Sequence, residues 1–80
     1  MVNPVKNHRR ILLTGAAGGL GTALRSRLIA DCDVLRLSDK SALGEPKDRE
    51  EIVLADLADA AAVDAAVAGC DAIVHMGGIS

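Results

Sequence analysis

The sequence predicts an α/β fold: the first half of a doubly wound parallel sheet, with elements in the order β-α-β-β-α-β and strand order 3-2-1-4. Three observations carry that prediction. Short apolar runs alternate with helical stretches along the 80 residues. The first run, Ile11-Leu12-Leu13, breaks on a glycine-rich turn, Thr14-Gly15-Ala16-Ala17-Gly18-Gly19-Leu20-Gly21, that opens into a helical pattern. The runs lack polar alternation, as strands buried on both faces of a parallel sheet do.

The elements follow in order. Ile11-Leu12-Leu13 is the first strand, preceded by His8-Arg9-Arg10 and stopped by Thr14-Gly15. From Gly19 to Ala30 the period changes: Leu20, Leu24 and Leu28 recur every fourth residue beside Ala23, the mark of an amphipathic helix. Val34 to Leu37 is the second strand, ending at Ser38-Asp39, and the polar segment Lys40 to Glu51 reads as a solvated loop. Ile52 to Ala55 is the third strand. Asp56-Leu57-Ala58-Asp59 offers capping carboxylates to a helix that runs to about Ala68, with Ala60, Val63 and Val67 on one face. Gly69 stops that helix, and Ala72 to His75 is the fourth strand. Right-handed crossovers then put the fourth strand beside the first and a ligand-binding switch point between them, at the carboxyl ends of the strands. Residues 1–9 are expected as a flexible tail ahead of a partial dinucleotide-binding domain spanning 1–80. No residues follow to form the helix that should come after a fourth strand, so a truncated form of a longer protein is expected.

Composition narrows the function. Phe, Tyr and Trp are absent, so the core is built from Leu, Ile, Val and Ala. With a net charge of −2, no basic stripe and no ring on which a base could stack, nucleic-acid binding is not expected. No apolar run approaches the roughly 18–20 residues that cross a bilayer, and no secretory segment opens the chain, which points to the cytoplasm and away from a membrane. Cys32 and Cys70 form no Cys-x-x-Cys pair and read as buried free thiols in a reducing compartment. His8 and His75 add no recognisable ligand spacing, so no metal site is expected.

The glycine-rich turn carries the chemistry. Gly15 lets the chain turn sharply off the strand, Gly18 leaves room for a pyrophosphate against the backbone, and Gly21 lets helix and strand pack closely. The helix start supplies unpaired N–H groups to an anion. No Lys-Ser/Thr pair follows the glycines, which excludes a triphosphate P-loop. Asp39, about 20 residues on, can accept hydrogen bonds from the adenosine ribose and would repel a 2′-phosphate, favouring NAD over NADP. Arg36 precedes it by three residues and faces elsewhere. Asp56 reads either as a helix cap or as a ligand contact, and His75 as a structural histidine at the switch point. Gly77 and Gly78 leave room for a cofactor.

Together, Thr14-Gly15-Ala16-Ala17-Gly18-Gly19-Leu20-Gly21, Asp39, Asp56-Leu57 and His75-Met76-Gly77-Gly78 resemble extended short-chain dehydrogenases, the NAD-dependent epimerase/dehydratase family, over residues 10–80. The resemblance implies a Rossmann-type domain that binds NAD. It assigns Gly19 and Leu20 to the pyrophosphate, Asp39 to the ribose, Asp56 and Leu57 to adenine, Met76 to the cofactor pocket and Ser80 to substrate. The segment from Ile73 to Ser80 is most similar to members that oxidise a hexuronic acid at its anomeric carbon to the aldaric acid lactone, passing hydride to NAD⁺. The implied partner is thus a small sugar acid, with room for a homo-oligomer at full length. A nucleotide-sugar epimerase or dehydratase, or a non-catalytic NAD(P)-binding regulator, would share this cofactor half. The family works with a Tyr-x-x-x-Lys pair and a Ser. This sequence has no Tyr, and Lys6, Lys40 and Lys47 lie in the wrong places, so no catalytic residue is assigned and the chain alone is expected to be inactive.

Overall fold

The computed structural model describes residues 8–76. Its elements are β1 (His8–Thr14), α1 (Gly19–Leu28) with a 3-10 turn at Ile29–Asp31, β2 (Cys32–Ser38), β3 (Glu50–Ile52), α2 (Ala60–Val67) and β4 (Ala72–His75). The strands form one sheet in the order β3-β2-β1-β4, with every pairing parallel. Leu13 of β1 sits between Leu37 of β2 and Val74 of β4.

The unbroken apolar run of β1 has a direct structural reason. Alternate side chains go to opposite faces of a strand. Ile11 and Leu13 join Leu35 and Leu37 in a core against Leu24 and Leu28 of α1. Leu12 points the other way, into a smaller core with Val53, Ala62, Ala66 and Val67 under α2. Both sides of β1 are therefore covered, and Leu12, Leu13, Leu35 and Leu37 lose nearly all contact with solvent.

Several boundaries differ from the sequence reading. β1 begins at His8, so His8 and Arg9 leave the expected tail and join the sheet. His8 lies in register with Cys32, and the Asp71 carboxylate accepts the Arg9 and Arg10 N–H groups at 3.0 Å each. β3 begins two residues before the expected Ile52, inside the polar segment. Its charges are neutralised there: Glu50 pairs with Arg25 at 2.6 Å, and Glu51 receives Arg10 at 2.7 Å and Arg36 at 2.9 Å. The expected residues still follow β2, since Val53 and Ala55 donate N–H bonds to the Leu37 and Asp39 carbonyls.

The helices differ too. Leu24 and Leu28 pack on the core as expected, but Leu20 stays 60% exposed at the helix start. α2 begins only at Ala60, because Asp59 is its cap and accepts from Ala61 and Ala62 N–H. Asp56 instead closes a turn, taking Ala58 N–H on its carboxylate and Asp59 N–H on its carbonyl. The packed face of α2 runs through Ala62, Ala66 and Val67 rather than Ala60, Val63 and Val67. Arg36 fixes that rotation by reaching the Ala66 and Ala68 carbonyls at 2.6 and 2.8 Å. Gly69 ends the segment at φ +78°, a conformation that favours glycine. Neither cysteine is in a disulfide. Cys32 is buried as expected, while Cys70 is only half-buried.

Candidate functional site: a cleft at the carboxyl ends of the strands

All four strands deliver residues to one cleft of about 370 Å³. The end of β1 and the turn after it supply Thr14, Gly15 and Gly18; the end of β2 supplies Ser38, Asp39 and Lys40. The segment after β3 gives Ala55, Asp56 and Leu57, and Met76 follows β4. Met76 is tied to β1, because its N–H donates to the Thr14 carbonyl at 3.2 Å and to Thr14 Oγ1 at 3.0 Å. Thr14 Oγ1 also lies 2.7 Å from His75 Nδ1, closing the β1–β4 junction at its carboxyl end.

The glycines divide into two kinds. Gly15 has φ +67°, and its turn requires that left-handed backbone. Gly21 is buried under the same turn; a Cβ there would collide with the Gly15 carbonyl oxygen and come within 2.9 Å of Ala16 Cα. These two glycines are explained by the fold. Gly18 and Gly19 are not. Gly18 has an ordinary φ of −72°, and a Cβ on it would meet only the Gly15 oxygen at 3.5 Å. A Cβ on Gly19 would meet nothing within 4 Å. The space that these absent side chains leave open lies beside the cleft, at the first turn of α1.

That turn carries no cap. Gly18, the N-cap, has no side chain to offer, and no acidic residue stands in the first turn. By contrast, α2 is capped by Asp59. The first N–H groups of a helix need partners, and an anion is a suitable one.

Asp39 is held rigidly at the mouth of the turn. One carboxylate oxygen accepts Ala17 N–H at 3.1 Å and the other accepts Ser41 N–H at 3.0 Å. The Ser41 bond holds the Asp39 carboxyl below its ordinary range; partial burial opposes it, and the Ala17 bond adds to it. Lys40 lines the cleft beside it.

Of the residues singled out in the sequence, Gly15, Gly18, Asp39, Asp56, Leu57 and Met76 meet in this cleft. Gly19 and Leu20 form the adjoining helix start, and Gly21 lies beneath it. Gly77, Gly78 and Ser80 lie outside the described residues. Sequence reasoning missed Ser38, Lys40 and Ala55. Their signal was position: each flanks a chosen residue where a strand segment ends. Among the described residues no group of three His, Cys, Asp or Glu could hold a metal, and no helix is long and apolar enough to cross a membrane.

Residues 11–80 match the model of the NAD dependent epimerase/dehydratase family. The chain belongs to that family. It is 56% identical over 72 residues to uronate dehydrogenase from Pseudomonas putida, covering 89% of this chain and 27% of that protein. The crystal structure of uronate dehydrogenase from Agrobacterium tumefaciens superposes with a TM-score of 0.87 at 57% identity, covering 90% of this chain and 27% of that one. A mutant of the same enzyme, solved in complex with NAD, gives the same TM-score and identity. The chain thus spans about a quarter of the length of the relatives it matches. Within that span its fold is the parallel, Rossmann-like sheet of those structures.

Proposed function

We propose that this chain forms the adenosine and pyrophosphate side of an NAD site in an oxidoreductase that acts on a hexuronic acid. The observation that carries the reading is the pair Gly18 and Gly19. Neither glycine is required by the backbone or by packing, yet both leave space at an uncapped helix start beside a cleft. A pyrophosphate fills that space and takes the free N–H groups. Hydrogen bonds of this charged kind contribute about 1.5–3 kcal/mol each.

The other residues take roles around it. Gly15 sets the turn, Gly21 seats the helix, and Gly18, Gly19 and Leu20 meet the pyrophosphate through their backbone. Asp39 takes the adenosine ribose and favours NAD over NADP; Asp56 and Leu57 border adenine. Met76 lines the cofactor pocket, Gly77 and Gly78 are positions given to the cofactor, and Ser80 is the position given to the sugar acid. NAD⁺, when bound, accepts the hydride from the substrate's anomeric carbon. The proton from the substrate hydroxyl needs a base such as the family's Tyr, a residue type this sequence does not contain. The chain by itself therefore binds and does not turn over. Cys32 and Cys70, in no disulfide, fit a reducing compartment, the cytoplasm.

The test is a substrate screen on the full-length protein with a calorimetric titration of NAD⁺. NADH formation with glucuronate or galacturonate supports the reading. Activity confined to a nucleotide-linked sugar moves the protein to the epimerase and dehydratase side of the family. NAD⁺ binding without turnover of any sugar marks a regulator, and no NAD⁺ binding at all removes the cofactor reading itself.

A further inference from the structure

Among the described residues, two polar side chains are buried: Thr14 and Ser38, register partners at the carboxyl ends of β1 and β2. A buried hydroxyl without a partner is costly, so each calls for an explanation. Thr14 has one in the fold, because its Oγ1 accepts the Met76 N–H and lies 2.7 Å from His75 Nδ1. Ser38 has none there. Its backbone carbonyl takes the Ala16 N–H, but its hydroxyl bonds no described residue. The residue is 1% exposed, and it lines the cleft. Successive strand side chains point to opposite faces, so Ser38 shares the face of Arg36, which reaches α2. Asp39 turns the other way and takes the Ala17 N–H of the glycine turn. Ala55 belongs to the core under α2, so the Ser38 hydroxyl faces the part of the cleft bordered by Ala55, Asp56 and Leu57.

We propose that Ser38 is a ligand-binding residue at the adenine end of the dinucleotide, where its hydroxyl hydrogen-bonds the base. The inference rests on the cofactor reading above and adds a side-chain contact to it. Adenine offers ring nitrogens that accept and an amino group that donates, and a hydroxyl can meet either. Ala55 and Leu57 give the base apolar walls, and the hydroxyl between them gains the partner that the fold does not supply. A site with a buried polar group discriminates against ligands that leave it unpaired. Ser38 therefore acts on the adenine half of the cofactor and has no part in holding the nicotinamide half.

The experiment is calorimetric titration of the full-length protein with NAD⁺, AMP and nicotinamide mononucleotide, for the wild type and Ser38→Ala, beside urea unfolding of both. A net hydrogen bond of about 1 kcal/mol corresponds to about fivefold in affinity. Ser38→Ala is expected to weaken NAD⁺ and AMP by about that factor and to leave nicotinamide mononucleotide unchanged. Its urea midpoint should stay at the wild-type value or rise, because alanine gives up no bond within the fold. NAD⁺ and AMP affinities unmoved by Ser38→Ala overturn the Ser38 assignment and leave the cofactor reading intact. An equal loss for all three ligands, or a lowered midpoint, shows that the hydroxyl serves the fold and overturns the assignment as well. Failure of the wild type to bind NAD⁺ overturns both.

Discussion

At the scale of single residues, the four glycines of the turn do different work, and the difference can be measured. Gly21→Ala drives a methyl into the Gly15 carbonyl and Ala16 backbone, where no flexible side chain can yield. Overpacking of that kind costs about 1–3 kcal/mol, so the urea midpoint should fall clearly. Gly18→Ala puts the same methyl in ordinary contact with the Gly15 oxygen, at an ordinary φ. Its stability should be unchanged or raised by about 0.4–1 kcal/mol through the unfolded chain. Its NAD⁺ affinity in the full-length protein should nevertheless drop, by about tenfold if a single charged hydrogen bond of roughly 1.4 kcal/mol is lost. Equal destabilisation by the two substitutions would mean that Gly18 serves packing and not a ligand. The spacing of Gly15, Gly18 and Gly21 made the turn legible in the sequence. The same spacing assigned Gly15 to the turn, Gly18 to the ligand and Gly21 to packing; the open space at Gly19 was not legible, because that depends on what a Cβ would meet in three dimensions.

At the scale of elements, α2 is held at both ends by side chains. Asp59 caps its start, and Arg36 reaches across from β2 to the carbonyls at its end while also bonding Glu51. Removing the first cap, as Asp59→Ala, should cost about 1 kcal/mol. Arg36→Met keeps the stem but abandons the carbonyls of Ala65, Ala66 and Ala68 and half of Glu51's pairing; about 1–3 kcal/mol should be lost. Native-state hydrogen exchange reads the location: the amides of residues 64–70 should exchange faster in Arg36→Met, with those of β1 protected in proportion to the global change alone. Uniform acceleration across the sheet would show that Arg36 supports the whole fold and not the end of one helix. This network also explains why β3 begins earlier than the sequence predicts. Glu50 and Glu51 look like loop residues until their partners Arg25, Arg10 and Arg36 are brought in from α1, β1 and β2. Those contacts are long-range, so no local pattern announces them. Helix starts suffered similarly: Asp56 and Asp59 are equivalent as caps in sequence, and only the preceding turn decides that Asp59 takes the role.

Over the whole molecule, topology was the most legible level. Apolar runs and their alternation with helices were enough to place β3-β2-β1-β4, since right-handed crossovers and buried parallel strands leave few arrangements. The fold lacks aromatic residues and leans instead on polar staples between elements, which makes its stability pH-dependent in a definite direction. Glu50 ties β3 to α1 and is held below its ordinary value of about 4.5, first by the Arg25 side chain, against burial, and with help from Lys47 N–H. Asp39 ties β2 to the glycine turn and is lowered from 3.8 by Ser41 N–H, with burial opposing and Ala17 N–H adding. Asp71 ties β4 to β1 and is lowered from 3.8 by the Arg9 and Arg10 N–H groups. A carboxylate whose pKa is lower in the folded state adds stability above its unfolded value and loses it as pH falls through the folded one. All three act in the same sense: the stability they add is present above their ordinary values of 3.8 and 4.5 and is lost as pH falls below them. Glu50→Gln isolates one contribution. At pH 7 it should lower stability by about 1–3 kcal/mol, because the Arg25 guanidinium loses its charged partner. As pH falls below 4.5 and through the lowered folded-state value, the wild-type Glu50 itself loses its charge, so the gap between the two proteins should shrink. Urea unfolding followed by circular dichroism across that range measures both curves. A gap that stays constant with pH would mean that the Glu50–Arg25 pair contributes shape and packing rather than charge.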